Sequence, residues 1–140
     1  MKTKNMLLIL CLFGGALLQP LSAQKNDNSS DAFWVESYYY TPVRCDGEFV
    51  DWVEGVFTIH VVNHYKDGVW IFQRLMIKGI GTGYLSGETF KFNYNEKYSN
   101  VTGICTWHYN LKGDDGDHYI GSMTWDYNTS TMTVNKTVCH

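Results

Sequence analysis

Apolar and polar positions alternate through residues 56–77, and this alternation predicts one long β-hairpin. The arms have the sequences VFTIHVVNHY and VWIFQRLMI, and they flank a loop at positions 66–68. Gly68 is expected to take the left-handed conformation that such a loop requires. In the resulting register, His60 faces Arg74 across the hairpin.

The two faces of this hairpin differ in composition. One face is entirely apolar and is expected to form part of a core; it consists of Phe57, Ile59, Val61, Ile71, Leu75 and Ile77. The other face mixes apolar with polar and ionisable side chains and consists of Thr58, His60, Val62, His64, Trp70, Phe72, Arg74 and Met76. A mixed face of this kind suits a pocket wall, an interface or a surface exposed to water.

Similar alternation recurs along the rest of the chain, and no segment shows a 3.6-residue apolar period over a helical length. The pattern predicts an all-β protein with about seven or eight strands in meander order. Long strands in a short chain favour a closed antiparallel barrel, because closure removes exposed edges; a two-sheet β-sandwich is the alternative. Gly79, Gly81 and Gly83 alternate on one strand, which predicts a bent strand whose bare face is covered by a neighbouring aromatic ring.

The N-terminus has the features of an export signal. A basic start precedes an apolar run that is too short to span a membrane comfortably, and Ala23 supplies a small residue for cleavage. The predicted organisation is a signal peptide over residues 1–23, a disordered polar tail over residues 24–32 and a single β-barrel domain over residues 33–140. No later segment is apolar enough to span a bilayer, so a secreted protein, extracellular or periplasmic, is expected.

Three cysteines remain after this cleavage: Cys45, Cys105 and Cys139. Export favours a disulfide, and three thiols allow one bridge in three possible pairings. Cys45–Cys139 is preferred, because it ties the chain end to an early turn and closes a long loop, which stabilises by about 4 kcal/mol in the loop-entropy model. Cys105–Cys139 is the alternative; otherwise Cys105 is expected to be a buried thiol. The Cys and His spacings match no metal-site pattern.

Charge excludes one class of partner. The chain carries 11 Lys and Arg against 14 Asp and Glu, for a formal net charge of −3. No basic stripe is visible along the sequence, so nucleic-acid binding is not expected. Asp114, Asp115 and Asp117 crowd one turn, but they lack the spaced array of a helix–loop–helix calcium loop, and Asp and Gly are common turn formers.

Candidate chemistry concentrates on the mixed face of the hairpin. If that face points into a barrel, His60 and Arg74 would form a polar cluster with a glutamate, Glu36 or Glu54, in an apolar pocket. If it points outward, these residues form solvated cross-strand pairs. The candidate ligand-binding residues are therefore His60, Arg74, Trp70, Phe72 and His64. The chain contains no nucleophile elbow, zinc-protease motif or phosphate-binding loop, and it implies no cofactor.

Most of the predicted domain resembles small exported bacterial β-barrel proteins, over the stretch CDGEFVDWVEGVFTIHVVNHYKDGVWIFQRLMIKGIGTGYLSGETFKFN. The features that carry the resemblance are the turn Cys45-Asp46-Gly47, His60 and His64, the glycine-rich segment 79–87 followed by Glu88, and Cys139. The resemblance implies a lipocalin-like or allene-oxide-cyclase-like barrel, and it transfers no catalytic residue.

Three functions follow as hypotheses. The first is non-catalytic binding of a small apolar or amphipathic ligand in the barrel mouth, lined by the mixed face. The second is an isomerase- or cyclase-type enzyme on the same scaffold, which needs His60 or a glutamate buried beside Arg74 with a shifted pKa. The third is a surface module for glycans or proteins, which predicts a contiguous patch of exposed aromatic side chains.

Overall fold

A computed structural model describes residues 28–140, so the predicted signal peptide and the first four residues of the predicted tail lie outside the described residues. The strands are β1 (Ser30–Cys45), β2 (Glu48–Lys66), β3 (Val69–Gly83), β4 (Thr89–Ser99), β5 (Ile104–Gly113), β6 (His118–Asp126) and β7 (Thr131–Cys139). Because β1 begins at Ser30, positions 30–32 are strand rather than tail. Within residues 28–140, no helix is long and apolar enough to cross a membrane.

All seven strands form one antiparallel sheet in chain order, which confirms the all-β meander. The sheet is not closed into a barrel, and it is not a two-sheet sandwich, because β1 and β7 are the ends of a single strand order. The sheet curls until β1 comes close to β6 and β7, along a line that we call the seam. A register shift between Val43 and Arg44 interrupts the pairing of β1 with β2, and a bulge of this kind bends a strand.

At the seam, side chains accept the hydrogen bonds that a backbone ladder would make in a closed barrel. The Arg44 N–H donates to the Tyr109 hydroxyl at 2.9 Å, and the Gly47 N–H donates to the Thr137 hydroxyl at 3.2 Å. The main chain of β1 is thus hydrogen-bonded by a side chain of β5, and the turn after β1 by a side chain of β7. The sheet curls far enough to enclose a core without exchanging backbone hydrogen bonds across the seam.

A disulfide fixes the same seam. Cys45 and Cys139 are bonded, with a Cα–Cα distance of 5.7 Å and a sequence separation of 94, which confirms the preferred pairing. Cys105 is a buried thiol outside the disulfide, also as predicted.

The predicted hairpin exists, but its register is different. The turn has two residues, Asp67 and Gly68, both with positive φ (52° and 76°), as a type I′ turn requires. A register shift between His64 and Tyr65 adds a second one-residue offset. His60 therefore faces Met76 instead of Arg74, and Arg74 faces Val62. Because the two offsets sum to two residues, the side chains beyond the shift keep their predicted faces. Trp70 lies before the shift and pairs with Tyr65, so its predicted place on the mixed face is wrong.

The inward face of the sheet forms a packed core. Its largest fully buried side chains are Tyr94, Tyr109, Phe90, Phe92, Ile77, Leu111 and Met123. The predicted core positions of the hairpin are buried except Ile71, which is only partly covered. The Phe57 ring lies over the glycines, since a Cβ added at Gly79 would come within 2.9 Å of it. This confirms the predicted aromatic cover of the glycine-rich strand.

Candidate functional site

The predicted site residues do not line an interior. His60, His64, Phe72 and Arg74 lie at the outward positions of β2 and β3, alternating with the buried residues of the same strands. His60 stacks on Trp34 of β1 with ring centroids 4.4 Å apart, and Trp34 is 66% exposed. Of the two placements that the sequence left open for this face, the structure has the outward one.

The structure does bring three of these residues together. The His64 and Phe72 rings stack with centroids 4.0 Å apart. The Lys97 ammonium and the Arg74 guanidinium lie 4.6 and 5.6 Å from the Phe72 centroid. Burial lowers the pKa of His64, and the charges of Arg74 and Lys97 lower it further. His64, Phe72, Arg74 and Lys97 therefore form a surface packing cluster of rings and cations.

Trp70 is separate from the other predicted residues. Its ring lies near the start of β3, 5.6 Å from the ring of Tyr98. Tyr98 in turn makes an edge contact with Tyr127 at 5.5 Å. Trp70 thus belongs to an aromatic cluster at one end of the sheet rather than to the His60 face.

A buried carboxyl lies elsewhere than predicted, at Glu96 on the inward face of β4. Its Oε2 accepts hydrogen bonds from the hydroxyls of Tyr39 at 2.7 Å and Tyr94 at 2.8 Å. Burial raises the pKa of Glu96, and the hydrogen bonds from these tyrosines and from Cys105 oppose that rise. Because Glu96 is only 4% exposed, it serves as a polar centre of the core. The enzyme hypothesis required a carboxyl beside Arg74, and Glu96 lies on the opposite face.

The acidic turn residues meet Glu88, which the sequence did not group with them. Carboxylate oxygens of Glu88, Asp114 and Asp115 lie within 4.8 Å of one another. Glu88 accepts from the Asp115 N–H at 3.0 Å, and Asp114 accepts from the Thr89 N–H at 3.1 Å. These bonds support the predicted structural role of the turn.

A cleft of about 330 Å³ lies on the outward side of β1 and β2, and we call it the aromatic cleft. It is lined by Tyr38, Tyr40, Trp52, Glu54 and Tyr84. The alternation of the YYY segment creates it, because Tyr39 points into the core while its two neighbours point outward. The register then places Tyr40 opposite Glu54. Tyr84 follows β3, and its N–H donates to the Trp52 carbonyl at 2.7 Å.

The rings of the aromatic cleft are inclined to one another. Tyr40 and Trp52 are 5.5 Å apart at 69°, and Tyr38 and Tyr40 are 6.2 Å apart at 41°. The Tyr38 hydroxyl donates to Glu54 Oε2 at 2.5 Å. Burial, this hydrogen bond and the Glu54 charge raise the pKa of Tyr38 to about 12. Tyr38 is therefore neutral at ordinary pH, and Glu54 is the charged group of the cleft lining.

No protein-family model, no curated protein and no solved structure matches this chain. What the protein does must be inferred from its own geometry. The aromatic cleft is the candidate site, since it combines exposed aromatic rings, an oriented carboxylate and room for a small molecule.

Proposed function

We propose that the protein is a secreted, non-catalytic binding protein whose aromatic cleft holds a small amphipathic ligand that carries an ammonium group. The observation that supports this most is the lining, in which four aromatic side chains surround one carboxylate. The disulfide supports export, because such bonds persist mainly in oxidising compartments. The packed inward face argues against the ligand being held inside the sheet.

The angles between the rings favour a cation over a flat ring. Aromatic faces are electron-rich and attract an ammonium within about 6 Å of the ring centroid. Rings inclined by 41° and 69° form walls around a volume, so several faces would contact one compact cation. A flat saccharide would need a broad, level platform, and the inclined rings offer none. Glu54 adds the opposite charge.

The Tyr38–Glu54 hydrogen bond prepares this cleft before a ligand arrives. Both partners are outward side chains on neighbouring strands, and the bond holds the carboxylate against the aromatic wall. Orienting a charged group in advance reduces the entropy lost on binding. Tyr40 is only partly exposed, which keeps the base of the cleft dry and strengthens its electrostatics.

The test is a calorimetric titration with choline and with its neutral carbon isostere, dimethylbutanol. The two probes have the same shape, so they separate charge from apolar contact. Choline is expected to bind about tenfold more tightly, as a partly desolvated cation–π contact predicts. Equal affinity for both probes, or none for either, would contradict the proposal. A methyl glucoside that bound in their place would assign the cleft to a glycan.

Matched variants locate the binding. Glu54→Gln removes the charge from the cleft and keeps its shape, so it is expected to weaken choline binding. Glu36→Gln removes the same charge from an exposed position elsewhere on β1, and it is expected to leave the affinity unchanged. Equal losses in the two variants would mean that overall charge, and not the cleft, attracts the cation.

A further inference from the structure

The outward side of β3, β4 and β5 carries a second cleft, of about 460 Å³. It is lined by Lys78, Gly79, Ile80, Lys91, Phe92, Asn93, Asn110 and Lys112. We call the outward residues Lys78, Lys91, Lys112, Asn93 and Asn110 the basic face. The three lysines come from three strands, which explains why no basic stripe is visible along the sequence.

The register sets like charges directly against one another. Lys91 of β4 faces Lys112 of β5, and one further like pair lies on the same side, where Arg74 faces Lys97. Like charges directly opposite on neighbouring strands are destabilising. Arg74 and Lys97 lie over the Phe72 ring, which offsets their repulsion, so the Lys91–Lys112 pair is the one that points to a ligand that neutralises it.

Within β3, β4 and β5, no outward carboxylate lies opposite these lysines. The strand partners of Lys78 are Thr58 and Asn93, and Lys112 lies between Lys91 and His118. No outward position of β3, β4 or β5 is an Asp or Glu, because Glu96 points into the core. The formal charge of the whole chain is −3, so the positive charge is local. General attraction of anions to a basic protein would not account for binding here.

Two amides complete the lining. Asn93 and Asn110 face each other across β4 and β5, in the row next to the Lys91–Lys112 pair. Lysine ammonium groups serve as compact point charges for oxyanions, and amide N–H groups add directed hydrogen bonds. Together, the lysines and asparagines therefore offer positive charge and hydrogen-bond donors over an area larger than a single oxyanion.

We propose that the basic face binds a small ligand bearing two or more tetrahedral oxyanions, as phosphate or sulfate esters. The site is independent of the aromatic cleft, since the two linings share no residue. Phosphate and sulfate groups present the same geometry and acceptors, and the experiment separates them.

The test is a titration of the full chain, followed by amide chemical shifts, with pyrophosphate and with a sulfated disaccharide. The unsulfated disaccharide is the neutral control. Saturable shifts clustered at Lys78, Lys91 and Lys112 are expected with at least one anionic probe, weakening as salt is added. Response to pyrophosphate alone or to the sulfated sugar alone identifies the ester. No saturable response to either at low salt, or a response to the neutral sugar that matches the sulfated one, would overturn the proposal.

Paired variants give a second measurement. The double variant Lys91→Gln/Lys112→Gln is expected to lose at least tenfold in affinity and to unfold at a higher temperature, because the like-charge pair is gone. Lys66→Gln/Lys136→Gln removes the same charge elsewhere, at the β2–β3 turn and on β7, and is expected to retain binding. Equal loss in both doubles would show nonspecific attraction and would refute the site.

Discussion

The two faces of the sheet are built from the same alternating strands, yet they differ in what they leave accessible. The inward face is sealed by aromatic rings, and the buried Glu96 accepts hydrogen bonds from tyrosine hydroxyls. The outward face leaves charged and aromatic side chains open in two clefts of opposite character. The comparison separates an inward face that provides stability from an outward face that carries both proposed binding sites.

The largest effect is expected from opening the seam that keeps the inward face enclosed. Replacing both cysteines, Cys45→Ser/Cys139→Ser, removes a bridge that spans 94 positions. The loss of stability is expected to be about 4 kcal/mol from the greater entropy of the unfolded chain. Chemical denaturation of the double variant measures this. A loss below about 1 kcal/mol would mean that the side-chain hydrogen bonds across the seam are sufficient.

The next largest loss of stability is expected from replacing a buried isoleucine, which can be compared with an exposed isoleucine on the same strand. Ile77 is fully buried on the inward face of β3, whereas Ile80 is 62% exposed on the outward face. Ile77→Ala is expected to cost about 3 kcal/mol, from lost burial and the cavity left behind. Ile80→Ala is the matched control and is expected to cost under about 1 kcal/mol. Similar losses at both positions would contradict the assignment of the faces.

Glu96→Gln is expected to flatten the pH dependence of stability. Burial raises the pKa of Glu96 in the folded protein above its ordinary value of 4.5, against the opposing hydrogen bonds. Below that value, both states hold the proton and no stability is lost. Above it, the unfolded chain ionises first, so the wild type loses stability as the pH rises towards the folded pKa. Glutamine has no proton to lose, and this loss should vanish.

Denaturation midpoints measured from pH 4 to pH 8 check this prediction. Glu36→Gln serves as the control for the lost carboxylate, since Glu36 is exposed on β1. If the wild type and Glu96→Gln had parallel profiles, the inward carboxyl would not be held in its neutral form.

The smallest effect on stability is expected at the aromatic cleft. Tyr84 is 68% exposed, so Tyr84→Ala should change stability by no more than about 0.5 kcal/mol. The same substitution should weaken choline binding by about two- to fivefold, because one wall of the cleft is lost. Trp34→Ala removes an exposed ring outside the cleft and is the control. Weakening by Trp34→Ala alone would move the site to the His60 face.

Alternation was sufficient to predict which residues of the hairpin face inward. Ile77, Leu75 and Phe57 are buried as expected, even though the turn is one residue shorter than predicted. A side chain changes face only when the register shifts by an odd number of residues. The shorter turn and the shift at His64 each move the register by one residue, so together they leave these side chains on their predicted face. The predicted disulfide was also correct.

The open edge of the sheet and the position of the aromatic cleft could not be predicted from the alternation of polar and apolar residues. The hydrogen bonds across the seam join residues far apart in sequence, such as Arg44 and Tyr109, and no local pattern indicates them. The aromatic cleft needs Tyr84 brought back to Trp52 by the turn after β3. The burial of Glu96, by contrast, could have been predicted from the sequence. The segment FKFNYNE places Glu96 on the same alternating face as the buried Phe90, Phe92 and Tyr94.

The most direct test of the two-face account is the pair of indole N–H signals from Trp52 and Trp107 during a titration with choline. Trp52 lines the aromatic cleft, and Trp107 is buried on the inward face with 3% exposure. The account predicts a saturable shift of the Trp52 signal while the Trp107 signal stays in place. A shift of the Trp107 signal with Trp52 unmoved would place the ligand inside the sheet and contradict the account.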